Sequence, residues 1–174
     1  MSWALGEAPI RTAMTYIASN AAAKCAAVEA RYSDSVTLPT FAARRVADPN
    51  ASIEPEFPVL YAVPTRALPQ PGPGGLARGF LLDGEVVFVV VFEATVDQTG
   101  SGTTPGETLA SMGLRYGVVV LELLADSIAS TGVEWGTATP IEVTYGAQFT
   151  IRNRASRLSD VQVRIGYQTR ESAL

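Results

Sequence analysis

The sequence predicts an α+β fold, in which two main helices pack on a mostly antiparallel sheet of about four strands. Two observations carry this prediction. Two segments have apolar residues at helical spacing, and four others show the apolar runs or the alternation of strands. Their order is helix, strand, strand, helix, strand, strand. A chain of 174 residues suits one domain, so we assign residues 1–174 to a single domain.

The first helix is predicted over Pro9–Arg31, an alanine-rich segment. Alanine is the best helix former, and Pro9 suits a first turn, where its missing N–H needs no partner. Cys25 is expected to be a small buried hydrophobic residue rather than a reactive thiol. The apolar stripe of this helix consists of Ile10, Ala13, Met14, Ile17, Ala21 and Val28.

Two long segments, 33–56 and 64–79, are predicted to be loops or arms. The second contains four prolines and four glycines in sixteen residues, a composition that predicts no regular structure. We expect it to be an arm that contacts another subunit through Arg66 and Arg78, with a disordered solvent loop as the alternative. Between the two segments, Phe57–Val63 reads as a short strand. Its flanking prolines favour a sheet edge or a strand end.

The most apolar strand is predicted within "GEVVFVVVFEATVD", Gly84–Asp97. Seven apolar residues follow one another from Val86 to Phe92, so neither face of this strand is polar. A membrane-spanning helix needs about 20 such residues, so the run is too short to cross a bilayer. One face of a central strand packs on the helices. The other needs a second cover, either a neighbouring subunit or a layer made by the long connections.

The second helix is predicted to begin at "TPGE" and to run to about Ser130. Thr104 is its N-cap, Pro105 occupies the first turn, and Glu107 completes a capping box. Apolar residues cover most of the circumference of this helix. A helix of this kind is buried on more than one side.

Two one-sided strands are predicted near the C-terminus, over Ile141–Ile151 and Val161–Thr169. The loop between them, "RNRASRLSD", is predicted to join them as a hairpin. Arg152, Arg154 and Arg157 make this loop a candidate interaction surface, because guanidinium groups bind phosphates and carboxylates bidentately. Its partner would be DNA or an acidic surface of a neighbouring protein. The alternative is a solvated hairpin tip.

The residue inventory argues against most catalytic and metal-binding chemistry. The chain has no histidine and one cysteine, which removes the usual zinc ligands and any histidine-based triad. We therefore predict no metal, no cofactor and no catalytic residue. The net charge of −4 also weakens the case for a free nucleic-acid binder. The N-terminus lacks the basic-then-apolar order of a secretory signal, which predicts a protein made in the cytoplasm.

One enzymatic alternative remains open at this stage. Asp34, Asp48, Glu54 and Glu56 occupy one loop region, and paired carboxylates can serve acid–base catalysis or bind magnesium. A small carboxylate-dependent hydrolase would use them in this way. The simpler interpretation is that they are solvated loop charges.

The layout of the chain resembles the phage tail-terminator (tail-completion) proteins, the group that includes minor tail protein U of lambdoid phages. The resemblance rests on five segments in order: "APIRTAMTYIASN", "FPVLYAVP", "EVVFVVVFEATV", "TPGETLASMGLRYGVVVLELL" and "VQVRIGYQTR". The segments 33–56 and 64–79 look like enlargements of the family pattern. No catalytic motif defines this family, so no site residues are carried over from it.

The resemblance implies a structural, non-enzymatic protein of the virion tail or neck. Members of the family form a hexameric ring that caps the tail tube, stops its polymerisation and presents a surface for head joining. The implied partners are other copies of the chain, the tail tube protein and a head–tail connector, with DNA passing nearby and no membrane. A connector or neck protein of the adjacent ring is the alternative within the same assembly.

Overall fold

The computed structural model describes residues 6–46, 56–71, 80–94, 104–136, 140–150 and 157–171. This part of the chain forms two helices and a seven-stranded sheet. The elements are α1 (Glu7–Glu29), β1 (Ala43–Arg45), β2 (Val59–Pro71), β3 (Phe80–Ala94), α2 (Pro105–Thr131), β4 (Glu134–Trp135), β5 (Glu142–Tyr145), β6 (Phe149–Thr150) and β7 (Arg157–Glu171). The predicted α+β class is confirmed.

The sheet is mostly antiparallel, as predicted, but has more strands than expected. Its order is β1-β2-β3-β7-β4, and β5 and β6 also pair with β7. Only the β1–β2 pair is parallel among the described strands. The extra strands β1, β4 and β6 have two or three residues each, which is too short to leave a periodic pattern in the sequence. The predicted strand Ile141–Ile151 is divided between β5 and β6.

The prediction of no regular structure over 64–79 was wrong for residues 64–71. β2 continues through this stretch and pairs with β3 as far as Pro71 opposite Phe80. Two further boundaries also differ from the predicted ones. The segment 33–56 contains β1, and β7 begins at Arg157, so that arginine is a strand residue rather than a loop residue.

A register shift explains how a proline-rich stretch continues a strand. The β2–β3 register shifts between Pro64 and Arg66. Because of this shift, the prolines on both sides of it face the same set of alternate residues of β3. The prolines lie opposite alternate positions of β3: Pro64 opposite Val86, Pro69 opposite Leu82 and Pro71 opposite Phe80. In an antiparallel ladder, alternate residues direct their backbone nitrogen away from the partner strand. Prolines that share this phase cost no ladder hydrogen bond at a free edge.

Both helices form close to their predicted bounds. The capping box of α2 is present, with the Thr104 backbone N–H donating to the Glu107 carboxylate over 2.7 Å and the Glu107 N–H donating to Oγ1 of Thr104 over 3.3 Å. By length and composition α2 is apolar enough to cross a membrane. However, 61% of its most apolar window is buried inside the molecule, as in the core helix of a soluble protein.

The main core lies between the helices and one face of the sheet, which we call the helix side. Even-numbered residues of β3 from Leu82 to Ala94 point into it, apart from Gly84. β7 contributes Val161, Val163, Ile165 and Tyr167, the four residues predicted to face inward. The predicted stripe of α1 is buried as well. Cys25 is buried with it, and burial raises the pKa of its thiol to about 11, in keeping with an unreactive core residue.

Candidate interaction surface

The odd-numbered residues of β3 form the opposite face of the sheet, which we call the outer side. Near the C-terminal end of β3 this face is apolar. Val59, Tyr61 and Val89 form a buried cluster there, separate from the main core. Partly buried side chains pack around this outer apolar cluster: Ala43, Phe57, Val63, Val87 and Val91. The second apolar face of the strand therefore packs against strand residues and Phe57 rather than against a helix.

The outer side becomes polar toward the N-terminal end of β3. Asp83 is only 9% exposed, and its carboxylate accepts hydrogen bonds from the side-chain amides of Gln70 and Gln168. Those two amides belong to the strands on either side of β3, so the carboxylate joins β2, β3 and β7. Sequence analysis missed this group. The available signal was an aspartate at an outward position of β3, next to the apolar run that begins at Val86.

Two exposed side chains follow one another along the edge of β2. Arg66 lies opposite Glu85, and Leu68 lies opposite Asp83, so both belong to the outer side. Arg66 is exposed, and Leu68 is 48% exposed although it is a large apolar residue. β1 pairs with β2 only as far as Tyr61, so in the described chain this part of β2 is an edge.

The structure does not bring the predicted interaction arginines into one cluster. In the strand register, Arg66 of β2 lies opposite Glu85 of β3, and Glu85 lies opposite Gly166 of β7. Arg157 is exposed at the first residue of β7, nine positions earlier. At about 3.3 Å per residue, the two arginines are roughly 30 Å apart along the sheet. Arg78, Arg152 and Arg154 lie outside the described residues.

A groove of about 260 Å³ opens between α2 and β5. Gly113 of α2 lines it. A Cβ on Gly113 would lie 3.6 Å from the Tyr145 ring, and one on Gly117 would lie 3.4 Å from Cγ1 of Val143. These are ordinary contact distances, so α2 packs directly beside β5. Beside the groove, Leu114 is 55% exposed and Tyr145 is 50% exposed.

Asp34 belongs to a structural ion pair rather than to a carboxylate cluster. Its carboxylate binds both terminal nitrogens of the buried Arg115, which also donates to the carbonyl of Val36 over 3.1 Å. The Arg115 guanidinium stacks on the Tyr32 ring, 4.0 Å from its centroid. The arginine holds the pKa of Asp34 below its usual value, and the connection after α1 is thereby fixed to α2.

The other carboxylates of the proposed hydrolase do not form a site in the described residues. Glu56 is exposed, and Asp48 and Glu54 lie outside the described residues. The part of the chain that the structure describes contains no group of three or more Cys, Asp or Glu side chains arranged to hold a metal ion.

A second ion-pair group joins the two helices. Glu122 of α2 accepts hydrogen bonds from Arg31 over 2.6 and 2.8 Å, and Lys24 of α1 lies 3.4 Å from the same carboxylate. Lys24 also pairs with Asp126 over 2.6 Å. The Arg31 and Lys24 contacts lower the pKa of Glu122, and the Asp126 contact raises the pKa of Lys24. These charges fix the α1–α2 packing.

No protein-family model matches the chain, and no curated protein sequence matches it either.

Proposed function

We propose that this protein is a structural subunit of a virion, a tail terminator that forms a ring on the end of the tail tube. The observation that carries the proposal is the unequal covering of the sheet. Both helices pack on one side, while the outer side carries an apolar cluster, exposed residues at the edge of β2 and no helix among the described elements. The apolar cluster itself is buried, so the exposed side chains at the edge of β2, Leu68 among them, are the part suited to contacts between protein subunits.

Three further features support the proposal. The order of helices and strands keeps the layout on which the resemblance to tail-terminator proteins rests. The β2–β3 hairpin has residues exposed at its edge, which suits an arm that reaches another subunit. The ionisable groups with perturbed pKa values belong to ion pairs, a helix cap or buried core positions, none of which requires catalysis.

The mechanism follows from the symmetry of a closed ring. Contacts between two different surfaces of identical subunits close into a ring when the rotation between neighbours divides a full turn. We expect six copies. One axial face of the ring binds the last ring of tube protein, and the other lacks the polymerising surface, so tube growth stops. The partners are thus the tube protein on one face and a head–tail connector on the other. The site of action is the virion tail or neck.

Arg66, Arg78, Arg152, Arg154 and Arg157 are proposed contact residues in this assembly. Repeated around a ring, the arginines of residues 152–157 would form a basic collar that faces an acidic neighbouring ring or DNA in the lumen. Arg66 and Arg78 would belong to the arm that contacts a neighbouring subunit. The structure keeps Arg66 and Arg157 far apart, so two separate contact regions are proposed rather than one.

A tube-growth experiment tests the terminator function. The tube protein encoded in the same source genome is polymerised with and without this protein, and tube lengths are measured by negative-stain electron microscopy. We expect shorter tubes with a ring at one end, and native mass spectrometry should show a hexamer. Tubes of unchanged length without end density would contradict the proposal.

The same experiment separates the terminator from the connector alternative. A connector of the adjacent ring would leave tube growth unaffected and bind only tubes that already carry a terminator, or the portal side of the head. Addition of the protein to pre-capped and uncapped tubes therefore gives opposite results for the two functions.

A further inference from the structure

The two ends of the sheet are formed by different short strands. β1 lies at one end and pairs only with β2 among the described strands, while β4, β5 and β6 lie at the other end and pair only with β7. In the described part of the chain, each end therefore has a strand edge that a further strand can extend. A contact that joins these two different ends is heterologous, which is the kind of contact that closes identical subunits into a ring.

The strands at the two ends carry opposite charges. β1 contains Arg44 and Arg45. At the other end, β4 contains Glu134 and β5 contains Glu142. Glu134 is exposed, and the Glu142 carboxylate is 3.9 Å from the Arg164 guanidinium, which is beyond hydrogen-bond distance. Opposite charges at opposite ends attract two copies end to end, and like charges oppose contact between two identical ends. Charge complementarity therefore favours a second copy of this chain as the partner of each end.

The strand register places Arg45 and Glu142 on the same side of the sheet. Arg45 lies opposite Tyr61, a member of the outer apolar cluster. Glu142 lies opposite Arg164, which lies opposite Val87 on the outer side. Arg45 is exposed, and the Glu142 side chain is 60% exposed. When the sheet of one copy continues into the next copy with both sets of helices on the same side, these two side chains meet.

The helix side of the same two ends is also complementary. An open groove of about 570 Å³ lies between α1 and β1, and its lining includes Met14, Ala18, Arg44 and Val46. Ile141 directly precedes β5 and is 51% exposed. It is two residues before Val143, which packs against the main core, so its side chain lies on the helix side as well. The same continuation of the sheet therefore brings Ile141 to this groove.

We propose that the β5 end of one copy docks on the β1 end of the next, with Glu142 against Arg45 on the outer side and Ile141 in the α1–β1 groove on the helix side. The inference rests on the proposed ring and identifies the two surfaces that meet at each of its interfaces. Burial of Ile141 supplies the apolar contribution, and the Arg45–Glu142 pair determines which ends meet. The contact repeats between all neighbours, so the ring has no free end.

A charge exchange between separate variants tests this contact. Arg45→Glu puts a carboxylate at both contact positions, and Glu142→Arg puts a guanidinium at both. Each variant alone should need about a tenfold higher protein concentration to form rings, because like charges then face each other at every interface. An equimolar mixture should recover ring formation, because the two variants alternate around a ring with an even number of copies. Native mass spectrometry measures both the ring fraction and the ring composition.

Arg170→Glu is the matched control for the charge change. Arg170 is an exposed arginine of β7, about 20 Å along that strand from Arg164, which lies opposite Glu142. Its reversal should change ring formation less than about twofold, because it is remote from both proposed contact positions. Circular dichroism and urea denaturation confirm that all three variants are folded.

Cysteine crosslinking gives a second measurement that does not depend on charge. Ile141→Cys and Ala18→Cys change exposed residues on the two proposed surfaces. They are made as single variants and treated with a short bismaleimide, each alone and as an equimolar mixture. Wild-type protein is the control for Cys25, whose buried thiol should not react. We expect covalent dimers in the mixture and none in either variant alone.

The outcomes separate this inference from the proposed function. Rings that form normally from both charge variants, without crosslinks between positions 141 and 18, overturn the inference and leave the proposed function intact. Folded variants that fail alone and are not restored by mixing also overturn it, because the charges then act at another contact. Crosslinks within Ile141→Cys alone indicate a two-fold contact and overturn it as well. If rings form through this contact but tube lengths do not change, the inference stands and the proposed function fails. If no oligomer forms, alone or on tubes, both fail together.

Discussion

The two faces of β3 differ in their surroundings although their residues are similar. On the helix side, Phe88, Val90 and Phe92 are fully buried in the main core. On the outer side, Val87 and Val91 are partly buried around a small cluster of strand residues. The comparison shows that apolar character alone does not determine which side of a strand makes the core. Helix packing makes that choice, and the other face carries a small, separate cluster of strand residues.

The largest expected difference between the two faces comes from shortening an apolar side chain on each. Phe92→Ala should lower the free energy of unfolding by about 3–5 kcal/mol, because its ring packs between Tyr116 and Gly113 in the core. Val87→Ala on the outer side should cost only about 1 kcal/mol. Urea denaturation of both variants measures the difference. Equal losses would mean that the outer side is as important to the fold as the helix side.

Arginines extend the same comparison to charged residues. Arg115→Met should cost about 2 kcal/mol, because the buried guanidinium binds Asp34 and the carbonyl of Val36. Arg164→Met on the outer side should cost less than about 0.5 kcal/mol, since Arg164 is half exposed and its nearest carboxylate is 3.7 Å away. Thermal denaturation distinguishes the two. A larger stability loss for Arg164→Met than for Arg115→Met would mean that Arg164, not Arg115, is the arginine that stabilises the fold.

Acid should weaken the fold through its carboxylate ion pairs. The hydrogen bonds from Arg115 and Arg31 hold the folded-state pKa values of Asp34 and Glu122 below the ordinary values of 3.8 and 4.5. Their contribution is complete above those unfolded-state values and is lost as the pH falls through the lower folded-state values. We therefore expect the urea midpoint to decline below about pH 4.5. A double variant, Asp34→Asn with Glu122→Gln, should decline less steeply, and an unchanged slope would contradict this cause.

The smallest expected effect on stability belongs to the edge of β2. Arg66→Gln should change the free energy of unfolding by less than about 0.5 kcal/mol, because an exposed charge contributes little. Its effect should appear in assembly, as slower ring formation with a weaker dependence on salt. Light scattering at two ionic strengths measures this. A stability loss comparable to that of Arg115→Met would show that the edge is part of the fold.

Hydrophobic periodicity and capping residues were sufficient to predict the long helices and the C-terminal strand. Both helices, the inward residues of β7 and the capping box at Thr104 could be predicted because each depends on local sequence. The proline content of residues 64–71 led to the wrong prediction that they have no regular structure. The in-phase arrangement depends on a register shift against β3, which is a property of two strands together.

Less of the candidate surface than of the fold could be predicted from the sequence. The groove depends on α2 lying beside β5, a strand that begins about 25 residues after Gly117 in the chain. The hydrogen bonds from the Gln70 and Gln168 amides to Asp83 depend on residues from three strands. Of the predicted arginines, Arg66 and Arg157 lie among the described residues, on β2 and β7. Their separation along the sheet could not be predicted, because it follows from strand register.

The prolines at the edge of β2 have a consequence for the fate of the protein at high concentration. An open strand edge of this length ordinarily invites amyloid-like stacking, in which each copy extends the sheet of the one before. Missing amide hydrogens at alternate positions interrupt that hydrogen-bond ladder. Copies can be brought close together at this edge without fusing into a continuous fibre.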